Sequence, residues 1–403
     1  MHQSQSQPPI AILGAGPIGL EAALAAAQTG RDFVLYEAQD QIGASVRDWG
    51  HVHLFSPWSL NVSPRVRGAL EAAGHSVPSG EDCPTGRELL EQVLEPLARL
   101  PKLAAGLRLD TRVLGIGRKG LIKNQEIGTA ERAARPFRIL LGNSNGEEWV
   151  EEASAVLDCT GSYHRPNTLG DGGIPAPGET ALGDRIVRRV PNFHQEKSLW
   201  AGKTTLLVGA GHSAQTAARD LAELASSEPG TKVIWALRRQ QPGFGPLEDD
   251  PLPQRASLQA AARHLVEGAK DQVEVRLGMV VERLGTQPDD RIEVCLRGPE
   301  GEQETVTVDR ILALTGSVGD YELYRQLQVH ECYATSGPMK LAAVLLGEVG
   351  GDCLTQSSHG ADTLKNPEPD FFILGSKSYG RNNTFLLRVG WQQVDEVMEL
   401  LGR

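Results

Sequence analysis

One pattern occurs twice in this chain, and few folds can hold it. Its first copy reads Ile10-Ala11-Ile12-Leu13, then Gly14-Ala15-Gly16-Pro17-Ile18-Gly19, then an alanine-rich run to about Gln28, then Asp32-Phe33-Val34-Leu35-Tyr36-Glu37. A short apolar run, a glycine turn, a helical run and a second apolar run spell a βαβ unit. The second copy reads Thr204-Thr205-Leu206-Leu207-Val208, then Gly209-Ala210-Gly211-His212-Ser213-Ala214, a helix through Leu224, then Lys232-Val233-Ile234-Trp235-Ala236-Leu237-Arg238-Arg239. Each copy needs a parallel sheet of its own, so the expected fold class is α/β with two Rossmann-like dinucleotide-binding domains. A chain of 403 residues is long enough to give each a core.

The glycines have separate tasks. In the first copy Gly14 makes the tight turn, Gly16 lets backbone approach a pyrophosphate, and Gly19 permits close helix–strand packing. Pro17 and Ile18 open the helix, whose N–H groups and partial positive charge complete an anion cradle. Glu37 ends the second strand, placed to accept hydrogen bonds from ribose hydroxyls. In the second copy Gly209, Gly211, His212, Ser213 and Ala214 form the corresponding turn, with alanine in the permitted third place. Its second strand ends in Arg238-Arg239. A carboxylate there would repel a 2′-phosphate and guanidinium groups would bind it, so NADPH is expected rather than NADH. The plainer alternative is a solvated strand end. Two cradles on one chain suggest a division of labour: a retained FAD in the first and a diffusible NADPH in the second.

Two further turns, Val156-Leu157-Asp158-Cys159-Thr160-Gly161 and Ile311-Leu312-Ala313-Leu314-Thr315-Gly316, bracket the second motif. They suggest that the chain leaves one domain and re-enters it. The FAD domain is therefore read as discontinuous, 1–165 and 314–403, with the NADPH domain, 166–313, inserted. Residues 170–178, rich in Gly and Pro, read as a linker, and 239–255 as a long surface loop.

Composition narrows the partners. With 40% hydrophobic and 23% charged residues the chain is globular in type, and a net charge of −11 disfavours nucleic acid and anionic membrane. No membrane-length apolar window and no secretory signal are seen, so a cytoplasmic location is expected. Five cysteines without a C-x-x-C pair argue against a disulfide framework, a zinc knuckle or a dithiol relay. Cys332 and Cys353 could bind a soft substrate or form a redox pair, or they are buried small hydrophobes. His51 and His53 alternate like strand residues but lack a third ligand at suitable spacing, so ordinary polar contacts and no metal are expected. Near the C-terminus, Phe371-Phe372-Ile373-Leu374-Gly375 reads as a buried strand, and an amphipathic helix is expected from Thr384-Phe385-Leu386-Leu387 to Leu401.

Together the glycine motifs and Cys159-Thr160-Gly161-Ser162-Tyr163-His164-Arg165-Pro166-Asn167 resemble the two-dinucleotide-domain flavoproteins, and within them the flavin-containing monooxygenase-like group. Trp58-Ser59-Leu60-Asn61-Val62-Ser63-Pro64 is similar to that group's loop bearing an asparagine near the flavin. The group's F-x-G-x-x-x-H is not reproduced, since only Phe193-His194 stands at the corresponding place. The resemblance implies that the stretch from Trp49 to Trp58 runs beside the isoalloxazine ring, and that Trp49, Val113, Thr160, Gly161, Gly375, Thr384 and Phe385 contact the flavin. Where family members place Gly-Asp, this chain has Gly375-Ser376-Lys377, leaving Lys377 and Arg381 as pyrophosphate partners or surface cations.

The implied activity is hydride transfer from NADPH to flavin N5. With dioxygen as acceptor, a C4a-hydroperoxide would pass one oxygen to a small soft nucleophile at sulfur, nitrogen, selenium or arsenic, with Asn61 as the catalytic residue steadying it. The alternatives are an NADPH-dependent reductase or dehydrogenase with a non-oxygen acceptor, and a redox sensor without turnover. Asn61 has its own alternative, capping a turn before Pro64. The expected partners are a small-molecule substrate, dioxygen and a second copy of the chain.

Overall fold

In the computed structural model, the structure describes residues 7–244, 250, 252–268, 273–347, 354 and 356–402. Cys353 and parts of the 239–255 loop lie outside the described residues. The chain divides into two compact units: Met1–Gly50 with Ser56–Arg165 and Val318–Arg403, and His51–Phe55 with Pro166–Ser317. Among the described residues no helix is long and apolar enough to cross a membrane.

The first unit is built on a five-stranded parallel sheet, ordered Phe371–Ile373, Ala155–Asp158, Ile10–Leu13, Phe33–Tyr36 and Leu107–Arg108. Its central strand pairs Ile10 with Phe33 on one side and with Ala155 on the other. All four residues of that strand are buried, which is why they are apolar without alternation, as in sheets covered on both faces. The helix Pro17–Gln28 starts on a proline in its first turn and buries ten of its twelve residues. Its buried alanines, Ala22, Ala23, Ala25, Ala26 and Ala27, give it a slim face.

A three-stranded antiparallel sheet, Arg112–Arg118, Phe137–Gly142 and Glu148–Ala153, belongs to the same unit. Its middle strand alternates, sending Phe137, Ile139 and Leu141 into a core shared with Ala11, Leu13, Tyr36, Val156, Phe371 and Ile373. Beneath it lies a fully buried charge group. Glu368 bridges Arg118 and Arg132, at 2.7 Å to each, and accepts the Gln328 N–H at 2.7 Å. The Arg118 guanidinium also stacks 3.7 Å from the centre of the Phe137 ring. Burial alone would raise the Glu368 carboxyl, but the hydrogen bonds from Arg132, Arg118 and Gln328 outweigh it and hold it below the usual carboxylate range.

The second unit repeats the plan with a parallel sheet ordered Val273–Leu277, Lys232–Leu237, Thr204–Val208, Arg310–Ala313 and Ile186–Val187. It too carries a three-stranded antiparallel sheet, Val280–Thr286, Ile292–Arg297 and Gln303–Val308. The helix His212–Ser227 packs Ala214, Ala217, Ala218 and Leu221 into a core with Trp200, Leu207 and Trp235. Val52, from the segment 51–55, packs against this core as well.

Replacing Glu368 by Gln removes the carboxylate that bridges two buried guanidinium groups, a loss of about 3–5 kcal/mol for a broken buried pair. Urea unfolding at neutral pH is expected to show it. Because the folded carboxyl is depressed, its contribution is present above the ordinary glutamate range and fades as pH falls through the lower folded value. The gap between wild type and variant is therefore expected to close on acidification.

Candidate functional site

The first glycine turn is held by close backbone approach. Gly14 has φ +91°, and a Cβ there would lie 2.9 Å from the Cys159 carbonyl oxygen and 3.1 Å from Thr160 Cα. Its N–H donates to Tyr36 O at 2.7 Å. A Cβ on Gly19 would fall 1.8 Å from the Gly14 oxygen, so the helix can meet the strand only because residue 19 lacks a side chain. Gly16 differs: nothing lies within 4 Å of where its Cβ would stand. The turn thus leaves open space at the helix N-terminus, between Gly16 and Pro17. Ile18, buried at the same end, packs on Gly375 and Gly390.

Glu37 is almost buried, accepting the N–H of Ala15 at 2.8 Å and of Gln39 at 3.0 Å. Each of its oxygens keeps a lone pair. Val113, half-buried, stands opposite Leu141 in the antiparallel sheet, two residues beyond Thr111, whose N–H binds Glu37 O at 2.8 Å. The Thr160 hydroxyl donates to Asp158 Oδ1 at 2.6 Å, and Gly161, at φ +68°, faces the Ser376 hydroxyl. Gly375, at φ +72°, donates its N–H to the buried Gln393 at 2.8 Å. The fold therefore gathers Gly14, Gly16, Ile18, Thr160, Gly161 and Gly375 at the carboxyl ends of three neighbouring strands, where ligands of open α/β sheets bind.

Other expected positions lie differently. Lys377 is neither a surface cation nor free for a pyrophosphate: its side chain is fully buried, 2.5 Å from Asp158 Oδ2, 2.6 Å from Asp320 O and 3.2 Å from the Thr160 hydroxyl. These contacts occupy all three ammonium hydrogens. Arg381 is exposed. The C-terminal helix is Leu387–Leu401, starting beyond Thr384, because Asn382 Oδ1 takes both the N–H and the hydroxyl of Thr384 in a turn. Phe385 meets Tyr379 edge-on, with ring centres 5.5 Å apart. Trp49, half-buried, covers Gly86, where a Cβ would lie 2.5 Å from the indole.

Asn61 is buried in a turn of its own making. Its amide donates to Ser56 O at 2.7 Å and Pro57 O at 3.0 Å and accepts the Ser56 hydroxyl at 2.8 Å. Both amide hydrogens are spent on the turn that precedes it. The helix after it is capped instead by Ser63, which accepts the Val66 N–H at 3.0 Å.

In the second unit Gly209 has φ +134°, and a Cβ there would lie 2.2 Å from the Leu314 carbonyl oxygen. Around Gly211 nothing lies within 4 Å of a Cβ position, and Ser213 is exposed beside it. Ala214 is fully buried, its methyl group facing Gly209. Gln215 braces the turn by donating to Ala210 O at 3.1 Å. His212 sits edge-on to Phe55 at 4.8 Å. Burial first, then the charge of Arg255, push its pKa down against the opposing pull of Asp250, so the ring is neutral at neutral pH. Arg238 and Arg239 follow the strand Lys232–Leu237 and are exposed, with no hydrogen-bond or ion-pair partner among the described residues.

The Lys377–Asp158 pair and the Phe55–His212 contact escaped sequence reasoning. A lysine standing where the resembling family has aspartate, with an aspartate just before Cys159-Thr160-Gly161, was the available signal for the pair. Cys159, Cys295 and Cys332 are buried free thiols, and Cys83 is partly buried. Burial pushes the Cys159 thiol far up, away from thiolate chemistry.

A family model of the NAD(P)-binding Rossmann-like domain matches residues 12–67. No curated protein matches the chain. Among solved structures, a bacillithiol disulfide reductase from Bacillus cereus is similar with a TM-score of 0.70 at 16% identity, over 98% of this chain and 99% of that one. A desferrioxamine-pathway cadaverine monooxygenase from Erwinia amylovora, solved bound to FAD, gives 0.68 at 14% identity, over 99% and 95%. Thioredoxin reductase from T. acidophilum gives 0.59 at 14% identity, over 99% and 100%. At such identities the likeness is one of fold, and it runs through both units. The chain therefore has the fold of the two-dinucleotide-binding-domain flavoproteins.

Proposed function

We propose that this protein is an FAD-dependent oxidoreductase that draws electrons from NADPH and delivers them to a small-molecule acceptor. The observation that carries this reading is the pair of open glycine cradles, one backed by an acid and the other by exposed arginines. At Gly16 and Gly211 a side chain would enter empty space at a helix N-terminus, the space a pyrophosphate needs. Glu37 keeps lone pairs for ribose hydroxyls, which suits FAD, and Arg238 with Arg239 suits a 2′-phosphate. The residues present fit both groups.

A bound flavin would supply the two-electron chemistry that no side chain here offers. The chain's own part is binding and orientation. The helices Pro17–Gln28 and His212–Ser227 each turn their positive ends toward one cradle, and Gly14 and Gly209 set the turns. The neutral His212 ring next to Gly211 adds no fixed charge, leaving charge selection to Arg238 and Arg239.

For the acceptor, oxygenation of a small molecule at sulfur, nitrogen, selenium or arsenic is supported by the Thr160-Gly161-Ser162-Tyr163 and Pro166 pattern and by the fold shared with a cadaverine monooxygenase. Transfer to a non-oxygen acceptor is favoured by Asn61, whose amide hydrogens are committed to Ser56 and Pro57. Removing oxygen separates the two. Substrate-stimulated NADPH oxidation stops under argon if oxygen is the acceptor and continues if it is not. Asn61→Ala is expected to lower stability by about 1–3 kcal/mol, through loss of its buried hydrogen bonds, and to leave the ratio of peroxide formed to NADPH consumed unchanged.

Gly16→Val is expected to fold with the melting temperature of flavin-free wild type, since its side chain meets no atom, yet to purify colourless and stay so after FAD is added. A yellow variant would argue against the cradle. Arg238→Ala with Arg239→Ala is expected to weaken NADPH by about 2–4 kcal/mol while sparing NADH, as measured by stopped-flow reduction at varied nucleotide concentration. Equal loss for both nucleotides would make these arginines structural.

A further inference from the structure

The second unit carries a crevice away from its glycine turn. It has a volume of about 380 Å³ and lies between the later turns of the helix His212–Ser227, residues 191–197 and His51. Phe193 and Leu224, both buried, form its apolar part. The volume is at the small end for ligand pockets, matching a molecule of few atoms. Glu223 lies eleven residues beyond His212, about 16 Å along the helix axis, so the crevice is separate from the cradle.

Three acceptors stand among its lining residues, at His51, Asp220 and Glu223, beside the donors of Lys197, Arg219 and Asn192. His51 Nε2 lies 3.0 Å from the Pro191 carbonyl oxygen. A carbonyl only accepts, so Nε2 carries the hydrogen and the neutral ring presents Nδ1 as a lone pair. Burial, the largest influence, and Arg189 lower the His51 pKa, against the Pro191 bond and the charges of Asp220 and Glu196, so the ring is neutral at neutral pH. The cations at the rim are already paired: Lys197 with Glu228 at 2.5 Å, and Arg219 with Asp220 Oδ1 at 2.8 Å. Asp220 Oδ2 remains available, and Glu223, exposed, has no hydrogen-bond or ion-pair partner among the described residues.

We infer that this crevice binds a small primary alkylammonium ion, its N–H groups shared among His51 Nδ1, Asp220 and Glu223 and its carbon chain laid on Phe193 and Leu224. An ammonium offers three hydrogen-bond donors and no acceptor, the complement of the acceptors at His51, Asp220 and Glu223. A carboxylate or phosphate would find its cations already neutralised and would face the free charge of Glu223.

Butylammonium and butanol, matched in carbon chain, are the probes, titrated calorimetrically into the holoprotein. Butylammonium is expected to bind and butanol not. Glu223→Gln is expected to weaken butylammonium about 10- to 100-fold, the loss of a charged hydrogen bond. His51→Phe removes the neutral acceptor, for an expected loss of about 3- to 10-fold. Glu223→Gln is expected to keep the wild-type melting temperature, His51→Phe to lower it slightly through the lost bond to Pro191, and both to keep NADPH-dependent flavin reduction. Equal binding of the two probes, or unchanged butylammonium affinity in Glu223→Gln, overturns the inference, the second by placing the amine elsewhere on the protein.

Discussion

The first unit depends on one buried ion pair. Lys377 and Asp158, both fully buried and 2.5 Å apart, join the loop after the edge strand Phe371–Ile373 to the end of the strand Ala155–Asp158. Desolvating two charges is costly, and such a pair persists only where the geometry is good and the remaining donors are satisfied. Here the other ammonium hydrogens reach Asp320 O and the Thr160 hydroxyl, while the Tyr324 ring lies 5.1 Å from the cation. The consequence is positional. Thr160 and its neighbours are held where Gly14 must pass within contact of the Cys159 carbonyl, and that passage sets the turn on which the anion cradle rests.

The two units meet the same packing problem with different tolerance. At the third place of the motif a Cβ on Gly19 would sit 1.8 Å from the Gly14 oxygen, so only glycine serves. The second unit accepts Ala214 there, with its methyl against Gly209. The first place is constrained in both units: a Cβ on Gly209, at φ +134°, would lie 2.2 Å from Leu314 O, as one on Gly14 would lie 2.9 Å from Cys159 O. Both solutions leave the middle glycine facing open space. A glycine enforced by a neighbouring atom and a glycine facing a void look identical in a sequence, yet they answer to folding in one case and to a ligand in the other.

Charge is distributed with the same economy. Most arginines are engaged in ion pairs, including the buried Arg118 and Arg132 on Glu368. Among the described residues the exposed Arg238 and Arg239 have no hydrogen-bond or ion-pair partner, and neither has Glu223 in the crevice of the second unit. Unpaired charges at the end of a strand or beside a cavity retain their full attraction for a ligand of opposite sign, whereas a paired charge has largely spent it.

The sequence by itself determined the two strand–turn–helix–strand units, the acid at the end of one and the arginines at the end of the other. Those features are local: apolar runs, a helical run and a glycine turn are specified within about thirty residues, the span of a βαβ unit. Tertiary structure decided what depends on distant partners. Lys377 became an internal pin because Asp158, 219 positions away in sequence, lies beside it. Asn61 became a turn clamp because Ser56 and Pro57 present their carbonyls to it, and the last helix starts at Leu387 because Asn382 captures Thr384 first. The crevice at His51 exists only where residues from three stretches of chain converge. Local propensity sets which elements form, but which donors are spent and which remain free is settled only when long-range packing brings the acceptors into reach.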